Sequence, residues 1–464
     1  MILKNGCHSL FLEKYRKESI IFLLAVIFQI GVFIILSVYF NSPDNFIGMT
    51  GDAYAYKTAT ENIIKHKTFS LLPNEPFPPD SFRSPGYPFF LTPLFLVTQN
   101  WQIVLILQSI LYAFVPLLIY LIGKQIHEKS AFIASLIFVF EPTRLFLSNS
   151  LLTDSLFTLL FLSFLFYLFK ILDNFTLKNA LFGGLFLGLA TLVRPISVFL
   201  PVFVVVLIII KFGFNKKLKS AIAPSVIFLL IFIAVLFPWS LRNKIQFDSW
   251  QLSSIGSYNL VYYNIPEFLR YKNGTAEDRR LEALYEENKN LPFLEQLSLR
   301  RSDAHQSIAK EILLEDPDGY LKFHLIKTIP FFVTDGLREI GRTIGILEPQ
   351  ILNFSTLITK GNFAEVFNFI KKLETDTILF LLGFIFWLIV TILAFTEVLF
   401  SFIFNSGYKY KIAILIFLIL YFALLTGPVS NSRYRLPVSG IMIFLSVLSL
   451  YDLKYVQRRK ESNI

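Results

Sequence analysis

Two groups of residues in the N-terminal half combine acids, tyrosines and an arginine in a way that could support chemistry. The segment Asp52-Ala-Tyr54-Ala-Tyr56 opens a polar stretch, and Arg83-Ser-Pro-Gly-Tyr87-Pro closes it. A carboxylate can act as a general base on an acceptor hydroxyl, and a guanidinium binds phosphate oxygens through paired N–H groups. These residue types therefore indicate proton transfer next to a bound phosphate.

More acids and arginines follow at the ends of apolar stretches. Asp154 stands at the start of one such stretch, and Arg194 interrupts the nearly apolar run 180–210. Three further arginines flank apolar runs: Arg242, Arg433 and Arg435. The chain contains no G-x-x-x-x-G-K loop for nucleotide phosphates, so a phosphate donor would have to reach the protein as a membrane lipid.

Composition places these residues in an all-α multi-pass membrane protein. Of the 464 residues 54% are hydrophobic and only 16% are charged, against about 25% in soluble domains. Apolar runs of about 18 residues or more recur, and each can cross the bilayer as a helix. The net charge of +10 fits lysines and arginines in cytoplasmic loops, so no nucleic-acid partner is predicted.

The apolar runs predict about ten transmembrane helices. The expected spans are 19–40, 101–122, 131–140, 155–169, two arms of a hairpin over 180–210 that turns at Arg194-Pro195, 221–239, 377–404, 412–426 and 436–450. This arrangement places every basic cluster and both termini in the cytoplasm of a plasma (inner) membrane.

The same topology divides the chain into three parts. Residues 1–240 form a membrane module with external loops at 41–100 and 141–154, 241–375 form a mainly helical external domain, and 376–464 form the C-terminal membrane helices. Helices lying along the membrane surface are expected in the first loop. All the polar features named above then face the external or periplasmic side, which suits an amphipathic lipid with a phosphate headgroup.

Each residue also has a simpler structural interpretation. Asp52 and Asp154 could cap helices, and Arg83 could be a turn residue next to lipid phosphate. Arginines at helix ends can extend towards the interface, and tyrosines often anchor helices there. Arg194 is harder to explain in this way, because a charge inside the membrane needs a partner.

Six segments resemble the GT-C superfamily of membrane glycosyltransferases, in particular the bacterial branch of aminoarabinose transferases and protein O-mannosyltransferases. They are Asp52-x-x-x-Tyr56-x-x-Ala59, Arg83-Ser-Pro-Gly-Tyr-Pro-Phe-Phe-Leu91, Leu152-Thr-Asp154-Ser-Leu-Phe157, Gly188-Leu-Ala-Thr-Leu-Val-Arg194-Pro195, Phe237-Pro-Trp-Ser-Leu-Arg242-Asn243 and Arg433-Tyr-Arg-Leu-Pro437. Together they extend over most of the membrane part, whereas the external domain resembles the family weakly.

The resemblance implies transfer of a sugar from a polyprenyl-phosphate-linked donor on the non-cytoplasmic face, with inversion at the anomeric carbon. Asp52 would be the catalytic base and Asp154 a second acid that orients a substrate. Substrate binding would fall to Tyr54, Tyr56, Arg83, Tyr87, Arg194, Arg242, Asn243, Arg433 and Arg435. No cofactor follows from the residues themselves. The resemblance leaves a divalent metal ion as an open question, because relatives often have Asp-Glu where this chain has Asp52-Ala53 and so lacks the second adjacent acid.

Two other functions stay open at this stage. A transporter or flippase for a lipid-linked sugar would need charges near the middle of the membrane and alternating access. A non-catalytic lipid-binding scaffold would tolerate replacement of Asp52. The acceptor could be a lipid, a glycan or a protein.

Overall fold

The computed structural model describes residues 15–42, 50–213, 218–334, 336–347, 364, 371, 374–403 and 407–461. These residues form helices joined by turns and loops, and no β-strand occurs among them. The N-terminal part contains α1 (Arg16–Tyr39), α2 (Gly51–His66), α3 (Gly86–Thr98), α4 (Trp101–Tyr112), α5 (Phe114–Gly123), α6 (Glu128–Val139), α7 (Pro142–Ser148), α8 (Thr153–Asp173), α9 (Leu177–Val193), α10 (Leu200–Gly213) and α11 (Leu218–Phe247).

A mostly polar helical segment, here called the insert, follows over residues 248–347. It contains α12 (Ile255–Asn259), a π-helical turn (Leu260–Asn264), α13 (Ile265–Asn273), α14 (Arg279–Lys289), α15 (Phe293–Gln296), α16 (Ser302–Glu315), α17 (Pro317–Val333) and α18 (Leu337–Thr343). The C-terminal helices are α19 (Thr375–Ile403), α20 (Lys409–Thr426) and α21 (Ser432–Glu461).

Among the described residues eight helical segments are long and apolar enough to cross a membrane, or nine if the bent pair α6–α7 counts as one span. The prediction of about ten spans agrees with these eight or nine segments to within one or two. The difference lies mainly in the first arm of the predicted hairpin, which is the 17-residue helix α9. Helix α9 ends at Val193, and a 3-10 turn at Pro195–Ser197 follows Arg194. The interruption thus falls at the predicted Arg194-Pro195 position.

Two helices, α8 and α21, form the centre of the bundle. In the most apolar 18-residue stretch of each helix, 72% of the residues are buried in α8 and 78% in α21. The corresponding share is 28% in α1, α11 and α19. Both helices begin at the same end of the bundle, and both carry a charged residue in the first turn, Asp154 and Arg433. A charge there is costly unless it is paired, so the centre of the bundle requires ionic partners at this end.

The insert has an apolar core of its own. This cluster is separate from the membrane core and consists of Val261, Ile265, Leu269, Leu281, Leu284, Ala309 and Ile312. The predicted external domain 241–375 includes this cluster, although residues 348–363, 365–370 and 372–373 lie outside the described part. The boundaries of the three predicted parts remain a prediction.

Candidate active site

Asp52 lies in the first turn of α2 with its carboxylate directed at two arginines. Thr50, not Asp52, caps this helix, because its side chain accepts a hydrogen bond from the Ala53 amide at 3.1 Å. The Asp52 Oδ1 atom accepts from Arg83 Nη2 at 2.6 Å, and Oδ2 accepts from Arg433 Nη1 at 3.0 Å. The helix-cap interpretation therefore does not apply to Asp52.

Asp154 sits in the first turn of α8 and is completely buried. Its Oδ2 atom accepts a hydrogen bond from Arg433 Nε at 2.7 Å. Its Oδ1 atom lies 2.8 Å from Arg194 Nη2, an ion pair whose angles fall outside those of a hydrogen bond. Arg194 also donates through Nε to Thr153 Oγ1 at 3.0 Å. The charge that interrupts the run 180–210 thus has its partner on α8.

Arg433 joins the two acids into one network. Its guanidinium group donates through Nη1 to Asp52 and through Nε to Asp154. The resulting set of five charged residues, here called the ionic cluster, is Asp52, Arg83, Asp154, Arg194 and Arg433. Its three cations and two anions give a formal charge of +1, so the cluster has an excess of cation that favours an anionic ligand.

The electrostatics of Asp52 follow from this arrangement. Burial alone would raise the pKa of its carboxyl group, but Arg83 and Arg433 outweigh burial and hold the pKa below its usual value. Asp52 is therefore ionised at neutral pH, as a base must be. Arg83 also has an unused donor, because its buried Nε–H has no hydrogen-bond partner in the described part of the chain.

Two of the three predicted tyrosines lie beside the cluster. Tyr56 and Tyr87 pack edge to face with ring centroids 5.2 Å apart, and both are buried. The Tyr87 hydroxyl donates to Gln108 Oε1 at 2.9 Å. The Arg83 guanidinium carbon lies 5.9 Å from the centroid of the Tyr56 ring. These rings form an apolar wall behind the arginine.

Tyr54 lies elsewhere. It is half exposed and lines a separate cavity of about 160 Å³ on another face of α2, together with Lys57 and Lys65. The alternation Asp-Ala-Tyr-Ala-Tyr suggested one group, but successive positions on a helix are 100° apart, so Tyr54 and Asp52 point in different directions.

The remaining predicted residues make structural contacts. Arg435 is buried, donates to the carbonyl oxygens of Phe331 and Thr334, and stacks 3.7 Å from the Trp387 ring centroid. Arg242 donates to the Asp80 carbonyl at 2.7 Å. Asn243 donates to the Gln251 carbonyl at 2.8 Å. The structure does not bring these three side chains into the ionic cluster.

Sequence reasoning missed Thr153 and Asp80. Thr153 precedes Asp154 and holds the Arg194 guanidinium. Asp80 is buried and accepts hydrogen bonds from the backbone N–H groups of Phe82, at 2.8 Å, and Arg83, at 3.4 Å. An acid three residues before an arginine within a proline-rich turn is a signal for such a capped turn.

The residues at the site do not fit a divalent metal ion. No group of three or more metal-ligating side chains occurs within the described ranges. Both acids of the ionic cluster already contact arginines, and Ala53 occupies the position of a second adjacent acid. We therefore assign no chemical step to a metal.

Comparison with known proteins finds a family model that matches part of the chain and solved structures with a similar fold. The family model for dolichyl-phosphate-mannose-protein mannosyltransferases matches residues 82–240, a region that contains Arg83, Asp154 and Arg194. No curated protein matches the chain significantly.

Two solved structures of an archaeal oligosaccharyltransferase from Archaeoglobus fulgidus resemble the chain. AglB in complex with an inhibitory peptide and a dolichol-phosphate is 14% identical, with a TM-score of 0.50, and the match covers 98% of this chain and 52% of that one. A structure tethered to an acceptor peptide is 11% identical, with a TM-score of 0.48, and the match covers 95% and 50%. The chain thus spans about half the length of these proteins.

Proposed function

We propose that this chain is a GT-C-type membrane glycosyltransferase that transfers a sugar from a polyprenyl-phosphate-linked donor to an acceptor hydroxyl with Asp52 as the base. The observation that carries the proposal is the ionic cluster, in which a partly exposed carboxylate and three arginines meet at one end of the bundle. Such a site provides the base and the anion-binding groups that this reaction requires.

The arginines are suited to the donor phosphate. Arg83 offers its buried, unused Nε–H, and the cluster has one positive charge in excess of its acids. Guanidinium groups bind phosphate oxygens in pairs, so a phosphodiester can take hydrogen bonds that the acids now accept. Tyr56 and Tyr87 would lie beside the sugar or the lipid end, since both border Arg83 or its turn.

Each step of the proposed reaction can then be assigned to a side chain. Asp52 accepts the proton of the acceptor hydroxyl, whose oxygen attacks the anomeric carbon from the side opposite the phosphate. The bond between the anomeric carbon and the phosphate oxygen breaks, and its electron pair leaves with the polyprenyl phosphate. Arg83, Arg194 and Arg433 stabilise the charge that develops on that leaving group. The configuration at the anomeric carbon is inverted.

Donor binding would also activate the base. In the free protein Arg83 and Arg433 hold the pKa of Asp52 low, which makes it a weak base. A phosphate that draws these guanidinium groups away from the carboxylate raises that pKa again. The base would thus become effective once the donor is bound, which limits transfer in its absence.

We place this site on the non-cytoplasmic face of a plasma membrane, with both termini in the cytoplasm. The basis is the distribution of lysines and arginines along the sequence. The insert, within the proposed external domain 241–375, would select the acceptor, which can be a lipid, a glycan or a protein. Residues 1–240 and 376–464 would supply the membrane part.

The decisive experiment compares the wild type with Asp52→Asn. The purified proteins are given polyprenyl-phosphate sugars and a membrane extract in detergent, and release of free polyprenyl phosphate is followed by mass spectrometry. We expect Asp52→Asn to lower the rate about 100- to 10,000-fold, because it removes the general base. Asp173→Asn, at the opposite end of α8, serves as the matched control and should keep the wild-type rate.

Each outcome separates the alternatives. Equal rates for the wild type and Asp52→Asn would remove Asp52 as the base. Tight binding of one donor without release from any would favour a transporter of the lipid-linked sugar. Loss of activity in Asp173→Asn as well would indicate damage to the fold and not to the chemistry.

A further inference from the structure

The turn over residues 80–83 is fixed by contacts from two sides and ends at Arg83. We propose that Asp80 and Arg242 are positioning residues that hold the Arg83 guanidinium against Asp52, and that this turn links the insert to the ionic cluster. The inference rests on the proposed function for its kinetic consequence, although the positioning itself can be measured without activity.

Asp80 organises the turn from within. It is buried, and its Oδ1 atom accepts hydrogen bonds from the N–H groups of both Phe82 and Arg83. Its own N–H donates to the Phe69 carbonyl at 2.8 Å. The carboxylate therefore fixes the backbone at the residue whose side chain contacts Asp52. Because the Arg83 guanidinium has to meet Asp52 within hydrogen-bond distance, a small shift of this backbone moves it out of range.

Arg242 holds the same turn from helix α11. Its Nη1 atom donates to the Asp80 carbonyl and to Asn243 Oδ1, and its guanidinium lies 4.5 Å from the Trp239 ring centroid. Asn243 in turn donates to the carbonyl of Gln251, where the insert begins. The family-like segment that contains Arg242 and Asn243 thus acts on the site through Asp80.

The insert contacts the turn through Ser81. The Ser81 carbonyl accepts a hydrogen bond from the Ser254 amide at 3.0 Å, and the Ser81 hydroxyl accepts one from the Leu299 amide at 3.0 Å. Ser81 and Ser254 are both buried. A movement of residues 254 or 299 is therefore transmitted to the residue two positions before Arg83. Acceptor binding by the insert would thus affect the position of Arg83 at the donor site.

The protonation state of Asp80 gives its positioning role a separate consequence that can be measured, a change with pH. Burial raises the pKa of this carboxyl to about 6, opposed by its backbone hydrogen bonds and by Arg242 and Arg83. Those two arginines are the charged groups that face it within the described chain. As the pH falls through about 6, the carboxylate becomes neutral and binds the two N–H groups less strongly. We expect donor KM to rise over this pH range while the turnover number changes less.

The test uses the full chain in detergent and two readouts. Hydrogen exchange of the peptide containing Phe82 and Arg83 reports the backbone, and donor KM reports the guanidinium. Asp80→Ala should speed exchange of these amides about tenfold and raise donor KM about tenfold, as expected for two lost hydrogen bonds. Asp80→Asn retains an acceptor oxygen, so it should restore KM near neutral pH but abolish the pH dependence around 6.

Arg242→Gln provides a second variant in case Asp80→Ala does not fold. Arg300→Gln is its matched control, since Arg300 also donates to a backbone carbonyl, that of Gln246, but not to this turn. We expect Arg242→Gln, and not Arg300→Gln, to raise donor KM.

The two readouts separate failure of the inference from failure of the proposed function. Unchanged exchange in Asp80→Ala, or faster exchange with unchanged donor KM, would overturn the positioning role. If the wild type releases no polyprenyl phosphate from any donor, binding of decaprenyl phosphate replaces donor KM. Weaker binding in Asp80→Ala would then support the positioning role even though sugar transfer had failed, and equal binding would overturn it.

Discussion

The two ends of helix α8 carry the same kind of residue in different surroundings. Asp154, near its start, is completely buried and contacts Arg433 and Arg194. Asp173, at its end, is 43% exposed in its side chain and contacts Lys411 and Tyr410. About 28 Å of helix separates them, at 1.5 Å per residue.

This contrast indicates that the two ends of helix α8 have different roles. In the Asp173–Lys411 pair the carboxylate is half exposed, so water solvates it in part, whereas Lys411 is buried. A buried carboxylate shared by two arginines costs much desolvation free energy, and an apolar packing would serve the fold at least as well. The buried charges at the Asp154 end therefore suit the ligand binding proposed above better than a stabilising role.

The largest expected effect comes from removing the buried carboxylate of Asp154. Asp154→Ala leaves Arg433 and Arg194 without their buried partner, and we expect a loss of about 3–5 kcal/mol in unfolding free energy. Asp173→Ala removes a half-exposed carboxylate from the buried Lys411, so it should cost about 1–3 kcal/mol, less than Asp154→Ala. Thermal unfolding of both variants in the same detergent measures the difference. Similar losses would show that the two ends are energetically alike.

A second test concerns close packing at the two ends. A Cβ atom added to Gly86 would lie 2.6 Å from the backbone of Leu192, two residues before Arg194. At Gly123, towards the other end, an added Cβ would meet side chains of Ala131 and Phe444 at 2.9 Å. Backbone cannot yield as side chains can, so Gly86→Ala should cost about 1–3 kcal/mol and Gly123→Ala less.

The Gly86→Ala change should also affect binding, because it displaces the segment that carries Arg83 relative to Arg194. Donor KM should rise in Gly86→Ala and stay near the wild-type value in Gly123→Ala. A Gly86→Ala protein that melts earlier but binds donor normally would mean that this contact serves packing alone.

A further test exchanges one type of cation for another at each end of helix α8. Arg433→Lys keeps the charge but replaces the planar guanidinium, whose Nε and Nη1 atoms contact Asp154 and Asp52, by a single nitrogen. We expect donor KM to rise about tenfold, equivalent to about 1.4 kcal/mol. Lys411→Arg, the reciprocal change beside Asp173, should leave KM unchanged. Steady-state kinetics with one donor preparation compares them, and equal KM values would remove the bridging role of Arg433.

The smallest effect is a change in pH dependence. Arg83 is one of the three cations that hold the pKa of Asp52 low, together with Arg433 and Arg194, so Arg83→Gln raises that pKa. The base works only when deprotonated, hence activity in this variant should fall at a higher pH on acidification. The profile of kcat/KM is measured in an Asp80→Asn background, which removes the contribution of Asp80. Lys124→Gln, whose pair with Glu18 lies away from the cluster, should not move the profile.

The fold and part of the site could be predicted from the sequence. Apolar runs indicate helices that are long enough to span a membrane, and the structure confirms an all-helical protein of this kind. Asp52 and Arg83 can be identified because they open and close a polar stretch that also contains tyrosines, and Asp154, Arg194 and Arg433 because each lies next to or within an apolar run. The number and order of these charges can be read from the sequence, whereas their ion-pair partners cannot.

The pairing could not be predicted because it depends on tertiary packing. Arg433 and Asp52 lie 381 positions apart. Arg433 and Arg435 are separated by a single residue, yet only the first reaches the cluster while the second stacks on Trp387. Successive helical residues differ by 100° in direction, so only the neighbouring helices decide which arginine faces the site. Asp80 escaped notice because it acts on backbone N–H groups, which no side-chain pattern reports.

The charge of the ionic cluster has a consequence for the catalytic cycle. Three arginines and two carboxylates leave one positive charge, which a donor phosphodiester with its single negative charge just balances. In the proposed reaction the released polyprenyl phosphate is a monoester and carries about −1.5 to −2 at neutral pH. The same arginines therefore attract the product more strongly than the donor. Departure of the lipid product, and not formation of the glycosidic bond, should limit turnover, and added polyprenyl phosphate should inhibit competitively with donor.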